Sequence, residues 1–444
     1  MTKPPLDLRT RLKPGGSAVL RGRAASVPLA ALAAGNPLSL EPQALSGRHV
    51  LLRTRDQLSA ALALITLDGV ASRIVIAPPD LKPDYIQIVI ERAGVDTLVT
   101  DCGAIADLPV VTISTTLRPL GALPPVQATE WVMFTSGTTG VPKMVAHSLE
   151  ALTGAIKPAG EGITWGTFYD IRRYGGLQIF LRAVLGDASL ILSDADEPIA
   201  DFLTRLGRDG VTHLTGTPSH WRRALMSPMI GLIHPRYVRL SGEIADQPVL
   251  DSLKARFPEA AMGHAYASTE AGVGFEVTDG LEGFPASFVG GSGPVEMRVL
   301  DGTLQIRSSR TASRFIGSAE TLVQDGFVDT GDMVELRNGR YYFAGRRGGV
   351  INVGGLKIHP EEVEAVINRH PAVRLSRVSG RKNPITGAVV VAEVVLDGES
   401  DRASVQEEIL QNCRANLKPF QVPAMVRIVP GLELSAGGKL LRNA

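Results

Sequence analysis

The apolar positions of the first hundred residues fall into short runs that change period as the chain advances. Val50–Arg53, Ser72–Ala77 and Thr97–Thr100 are compact β-branched and leucine-rich runs. Between them, Asp56–Leu67 and Pro83–Ala93 carry the spacing of helices. Strand and helix in turn predict parallel βαβ units in a doubly wound sheet. A proline-rich connection, Pro119–Pro125, leads to a strand at Glu130–Phe134. The alternation then resumes with helices at Gly176–Leu185, Ile199–Asp209 and Ser219–Leu225 and strands at Ser189–Leu192 and His213–Leu214.

The rhythm changes near Pro294. Val295–Leu300, Thr303–Arg307 and Tyr341–Phe343 are short alternating runs separated by D-G and N-G turns, which predicts an antiparallel, β-rich subdomain. G-R-R-G-G at Gly345–Gly349 interrupts the chain. A compact unit follows, with helices at Pro360–Asn368 and Ser404–Leu417 and strands near Arg374–Ser379 and Ala388–Leu396. The adjacent glycines make a natural pivot, so the expected units are residues 1–346 and 347–444. The fold class is α/β: a large N-terminal domain of doubly wound sheets with a β-rich subdomain, and a small mobile α+β C-terminal domain.

Composition narrows the class without naming an activity. The 444 residues are 44% hydrophobic and 20% charged, ordinary for globular domains, and exceed what one compact core holds. Forty-six basic residues face 45 acidic ones, a formal +1, which argues against nucleic-acid or membrane-surface binding through bulk charge. Cys102 and Cys413 lie far apart with no metal-ligand spacing, so a reducing cytoplasm is expected. The N-terminus lacks a signal-like apolar run, and no stretch reaches the length of a membrane span.

The densest chemistry lies at Phe134–Lys143, F-T-S-G-T-T-G-V-P-K. Glycines free the backbone N–H groups of Gly137 and Gly140 to approach phosphate oxygens. Thr135, Ser136, Thr138 and Thr139 add hydroxyls, and Lys143 adds charge. It is not a Walker A loop, whose glycines stand farther apart and whose lysine follows glycine directly.

This loop resembles the signature of the adenylate-forming superfamily: acyl- and aryl-CoA synthetases, luciferases and peptide-synthetase adenylation domains. Further segments resemble that family in the same order along the chain. Y-A-S-T-E (Tyr266–Glu270) is similar to its Y-G-x-T-E, with Ala267 in place of glycine. The resemblance implies that Tyr266 stacks on adenine, Thr269 holds the α-phosphate and Glu270 helps place Mg²⁺. Asp329–Asp332 resembles a T-G-D segment whose aspartate, here Asp332, grips the ribose. Arg346 of the Gly345-Arg346 pair approaches ribose and phosphate. Ile351–Glu364 resembles the opening of the mobile domain, and Gly438–Arg442 the terminal G-K-x-x-R, whose lysine, here Lys439, contacts carboxylate and α-phosphate. The hinge falls two residues after the arginine, at Gly348, where the family often carries Asp or Lys.

The implied reaction is ATP- and Mg²⁺-dependent activation of a carboxylic acid to an acyl-AMP, followed by transfer to the thiol of coenzyme A. One anion must attack another, so the site needs cations and donors rather than a protein nucleophile. Thr135–Gly140 and Lys143 would grip the phosphates that leave as pyrophosphate. Gly242–Ile244, including Glu243, and Gly263–His264 are small-residue segments that leave room for adenine or the acyl group. Asp170, Tyr174, Gly175 and His264 are candidates for the acyl pocket. Asp170 has two readings: it binds the ammonium of an amino-acid substrate, or it pairs with Arg172 or Arg173, the second being favoured. His264 and His147 read as packing or hydrogen-bonding residues. Arg374, Arg377, Arg381 and Lys382 are candidate contacts for coenzyme A or for an acidic stand-alone carrier protein, the alternative acceptor. A third reading is an AMP-binding homologue without turnover, against which the retained Lys439 speaks. The region before the hydroxyl loop is shorter than in the family, so the first sheet is expected to be abbreviated, and an exposed edge there would favour a homodimer.

Overall fold

The structure, a computed structural model, describes residues 7–135, 143–157, 162–353, 356–383, 387–397, 401–434 and 439–441. Two eight-stranded sheets form the body of the molecule. One has a parallel centre built from Tyr237–Ser241, His213–Gly216, Thr164–Thr167, Ser189–Leu192 and Val19–Arg21. Ala261–Ser268 joins it in parallel, and the edges Gly272–Val277 and Ser26–Pro28 are antiparallel. The other centres on Glu130–Phe134, Arg73–Ile76, His49–Arg53, Thr97–Thr100 and Val110–Pro119, again parallel. Its antiparallel edges are Gly35–Leu38 on one side and Met144–His147 with Arg314–Ile316 on the other. Eight strands apiece leave neither sheet reduced to a fragment, although the segment before the loop is short.

The helix Gln57–Leu67 explains how the two sheets share one core. All eleven of its residues are buried, and its sequence, Q-L-S-A-A-L-A-L-I-T-L, has no polar face to give to water. A helix apolar all round must be covered all round. Asp56 caps its start by accepting N–H bonds from Leu58 and Ser59. Gln57 reaches across: its amide donates to the Ser193 carbonyl at 2.7 Å and its oxygen accepts the Ile171 N–H at 2.8 Å.

A five-stranded antiparallel sheet follows, in the order Phe284–Pro285, Arg340–Arg346, Val328–Arg337, Thr303–Ser308 and Val295–Leu300. The turn glycines and asparagine of the sequence serve it: Asp301 and Asn338 take positive φ, each followed by a positive-φ glycine. Beyond Arg346 a separate apolar cluster begins at Ile351 and runs through Val363, Val378, Val394, Ile409 and Val426. It joins the helices Pro360–Ile367 and Arg402–Asn416 to a three-stranded sheet of Val373–Asn383, Gly387–Leu396 and Met425–Ile428.

The hydroxyl loop lies between Glu130–Phe134 and a buried strand, Met144–His147, that pairs antiparallel with it. One helix boundary moves: the helix expected from Gly176 begins at Tyr174. A Cβ at Gly176 would lie 2.1 Å from the Asp170 carbonyl oxygen, so only glycine lets this helix pack there. D-T-G-D lies inside a ten-residue strand, Val328–Arg337.

Candidate active site

The C-terminal ends of the parallel strands, the five-stranded sheet and the small unit enclose a cleft of about 2410 Å³. Ligands of open α/β sheets characteristically bind at such strand ends. Thr135, Lys143, Gly242, Glu243, His264, Tyr266, Asp332, Arg346, Gly348 and Lys439 all line it. Ser136–Gly140, the middle of the loop, lie outside the described residues.

One wall is aromatic. Tyr266 and Phe275 are cross-strand partners with ring centroids 5.6 Å apart and planes within 17°. Phe343, from the five-stranded sheet, lies 5.3 Å from Tyr266 on the other count, within 12°. Three near-parallel stacked rings from two sheets make this wall aromatic, the kind of surface on which a purine packs. Phe275 and Phe343 were not legible as site residues, because in sequence each is one apolar position of an ordinary strand.

Charge is concentrated beside that wall. Asp332 and Arg346 face each other across adjacent strands. The Arg346 Nε–H donates to Asp332 Oδ1 at 3.1 Å, and the Tyr266 hydroxyl donates to Oδ2 at 2.6 Å. Burial, then the Asp332 charge, push the Tyr266 hydroxyl well above its ordinary range, so it remains a donor. For Arg346, burial pulls downward, but Asp332, Tyr266 and Glu270 outweigh it and the guanidinium is raised. Lys439 comes from the small unit. A Cβ on Gly242 would stand 3.5 Å from Lys439 Cε, an ordinary contact, and Gly242 itself has φ +88°, so it is the backbone that favours glycine here. Desolvation and the nearby Arg346 lower the Lys439 ammonium from its usual range, while Glu243 and Asp332 act to raise it.

Thr269 and Glu270 are not among the residues that line the cleft; they occupy the turn after Ala261–Ser268. The Thr269 carbonyl accepts a hydrogen bond from His147 Nε2 at 2.8 Å, and the Glu270 carbonyl accepts the Ala312 N–H at 2.9 Å. The Glu270 charge nonetheless acts on Arg346. His147 is buried and its imidazole falls to about 4 through desolvation, so it is neutral near pH 7 and acts as a hydrogen-bonding residue. His264 bonds through Nε2 to the Leu281 carbonyl at 2.9 Å, again a packing role.

The acyl-pocket reading needs correction. Asp170, Tyr174 and Gly175 lie outside the cleft lining. Asp170 takes two bonds from the Arg172 guanidinium, at 2.8 and 2.6 Å, and another from the Arg172 backbone N–H. Its carboxylate is buried and engaged, with no face turned to a substrate ammonium. Tyr174 is buried beside the His147 ring, and Gly175 turns toward Tyr169. Arg173, the other partner considered for Asp170, instead lines the cleft and pairs with Asp80.

The basic residues of the small unit also separate. Arg374 pairs with Asp397, and Arg377 with Glu393 and the Leu441 carbonyl. Arg381 and Lys382 are exposed. Among the described residues, no three His, Cys, Asp or Glu side chains converge on a ready-made metal site. Mg²⁺ is commonly held by one or two carboxylates plus substrate phosphates, so a site here would be completed by the nucleotide itself.

At the pivot the glycine requirement shifts by three residues. A Cβ at Gly348 meets nothing within 4 Å, whereas Gly345 has φ +123° and its Cβ would lie 2.4 Å from Glu361 Oε2. Gly345→Ala is therefore expected to cost about 1–3 kcal/mol in urea unfolding, and Gly348→Ala to be silent in the same assay.

Residues 46–308 match the family model for the AMP-binding enzyme, and residues 362–439 match the AMP-binding enzyme C-terminal domain. The chain belongs to the AMP-binding enzyme family. Among curated relatives, the 2-succinylbenzoate--CoA ligase of Listeria innocua is 28% identical over 332 residues, 70% of this chain and 68% of its own. The ligase of the same name from Salmonella typhimurium is 26% identical over 411 residues, 90% and 86% of the two chains. Among solved structures, the Bacillus subtilis o-succinylbenzoate CoA synthetase with an acyl-adenylate aligns over 100% of this chain and 98% of its own, with a TM-score of 0.75 and 20% identity. The anthranilate CoA ligase AuaEII with anthranoyl-AMP aligns over 98% and 94%, with a TM-score of 0.79 and 18% identity. This likeness to solved members of the AMP-binding enzyme family is one of fold. No helix among the described residues is long and apolar enough to cross a membrane.

Proposed function

We propose that this AMP-binding enzyme is an acid–thiol ligase: it uses ATP and Mg²⁺ to convert a carboxylic acid to an acyl-AMP and passes the acyl group to coenzyme A. The observation that carries the reading is Lys439, held by the small unit against Gly242 in the cleft that Asp332 and Arg346 also line. Binding AMP alone gives no reason to bring a cation from a second unit. In the first step the substrate carboxylate oxygen attacks the α-phosphorus of ATP, and the bond to the pyrophosphate oxygen breaks. Lys439 and Arg346 would offset the added negative charge, and Lys143 and the hydroxyl loop would hold the leaving phosphates. Mg²⁺, bound with the nucleotide, would supply further charge neutralisation there. Tyr266, Phe275 and Phe343 would seat the adenine, and Asp332 the ribose. In the second step the thiol sulfur attacks the acyl carbon, and AMP leaves.

Residues 1–346 would bind the nucleotide and acid, and residues 347–444 would bring Lys439 in for the first step and turn away about Gly348 for the second. With Asp170 committed to Arg172, a non-amino carboxylic acid, fatty or aromatic, is the favoured substrate class. The cytoplasm is the proposed site of action. Incubation with ATP, Mg²⁺, coenzyme A and a panel of carboxylic acids tests the reading. It should yield AMP, pyrophosphate and an acyl-CoA in equal amounts. ADP and orthophosphate would contradict it, and acyl transfer confined to a phosphopantetheinyl protein would replace coenzyme A by a carrier.

A further inference from the structure

Glu243 is placed differently from what a nucleotide-binding residue requires. It follows Gly242 at the end of the strand Tyr237–Ser241, and both of its carboxylate oxygens are occupied by backbone donors. Oε2 accepts the Ser219 N–H at 2.9 Å, in the first turn of the helix Pro218–Leu225. Oε1 accepts the Leu440 N–H at 3.0 Å, a contact spanning 197 residues of sequence. Leu440 is the residue immediately after Lys439.

We infer that Glu243 is a positioning residue for Lys439: anchored on one oxygen by a helix start, it grips the backbone of the lysine's own segment with the other. The helix end favours a negative group and fixes the carboxylate, so its second oxygen is presented in a set direction. The grip exists only when the small unit brings Lys439 to Gly242. Glu243 thereby rewards the arrangement needed for adenylation and makes no such contact once the small unit leaves. The same carboxylate offsets charge. Lys439 is half-buried near Arg346 and Arg173, which disfavour its ammonium, and Asp332 and Glu243 are anions that favour it. Replacing Glu243 by glutamine removes one of these two anions and faces an NH₂ toward one of the backbone donors. Two further polar contacts support the same arrangement: the Asn368 amide donates to Asp246 at 3.1 Å, and Arg222 holds Asp246 from the large unit.

The inference rests on the proposed ligase reading for its kinetic arm, but not for its chemical arm. Competitive acetylation of the amines in the native protein, followed by mass spectrometry across a pH series, reads the accessibility and titration of Lys439 without any substrate acid. In wild type Lys439 should label slowly. In Glu243→Gln it should label at least about tenfold faster at a given alkaline pH, with its titration moved to lower pH. In the kinetic arm, ATP–pyrophosphate exchange with the accepted acid should fall about 10- to 100-fold, and its alkaline limb should move to lower pH, because the ammonium is lost earlier. Thioester formation from supplied acyl-adenylate and the affinity for AMP should stay within about twofold of wild type. Unchanged Lys439 labelling in Glu243→Gln would overturn the inference, as would loss of AMP affinity with an unmoved alkaline limb, which is the signature of a nucleotide contact. Absence of exchange in the wild type with every acid would count against the ligase reading and leave the labelling result to decide the role of Glu243.

Discussion

Lys439→Ala should lower carboxylate-dependent ATP–pyrophosphate exchange by at least about 10²–10³-fold, the cost of removing one preorganised donor from a charged transition state. Thiolysis of a supplied acyl-adenylate should remain measurable, because that step is assigned to an arrangement in which Lys439 has left the cleft. The expectation follows from position. The lysine is half-buried and packs against Gly242, close enough to Arg346 and Asp332 for their charges to shift it, and it enters on a segment gripped through Leu440. Its lowered pKa adds a sign. Exchange should fall on the alkaline side at a pH below the usual lysine range, as the ammonium loses its proton. An equal loss in both half-reactions would contradict the division of labour between the two units.

Arg172→Ala should destabilise the fold by about 3–5 kcal/mol, the range seen when one partner of a buried ion pair is removed. Arg172 and Asp170 are both almost fully buried and doubly bonded to each other, and the guanidinium also donates to the Arg55 carbonyl at 3.1 Å and to the Thr54 carbonyl. Without it the Asp170 carboxylate would remain buried beside the start of the helix Tyr174–Leu185, unpaired. Urea unfolding of Arg172→Ala, Asp170→Ala and the double variant forms the test. The double variant should be much less damaged than the sum of the singles, since both remove the same interaction. Additive losses would separate the pair. A change in preferred acid on Asp170→Asn, with stability retained, would restore it as a substrate contact.

The parts of the molecule that were readable in sequence are those whose cause is local. Val50–Arg53, the helix after Asp56 and the strand Thr97–Thr100 appear where the apolar period put them. The D-G and N-G turns deliver the antiparallel sheet. The family was legible from the order of its short segments, and its AMP-binding model covers more than half of the chain. Tyr266, Asp332 and Arg346 are far apart in sequence and meet through hydrogen bonds in the structure.

What escaped the sequence is non-local. The strand Met144–His147 is a run of four residues, too short to display a period, and only its pairing with Glu130–Phe134 defines it. Phe275 and Phe343 join Tyr266 only because two different sheets converge. The glycine constraint at Gly345 rather than Gly348 depends on Glu361, a neighbour that the fold brings in from the following helix. Asp170 was ambiguous because a carboxylate two residues before an arginine serves equally well as a ligand or a partner. Burial resolved it in favour of the partner. Glu243 lines the cleft with Gly242, but its grip on Leu440 could not be inferred from any spacing.

The most direct test of the central claim is ATP–pyrophosphate exchange with Mg²⁺, scanned over fatty, aromatic and amino acids. The account predicts exchange that depends on the added carboxylate, appears with fatty or aromatic acids rather than with amino acids, and needs no thiol. Exchange with no acid in the scan, or exchange independent of added carboxylate, would contradict it.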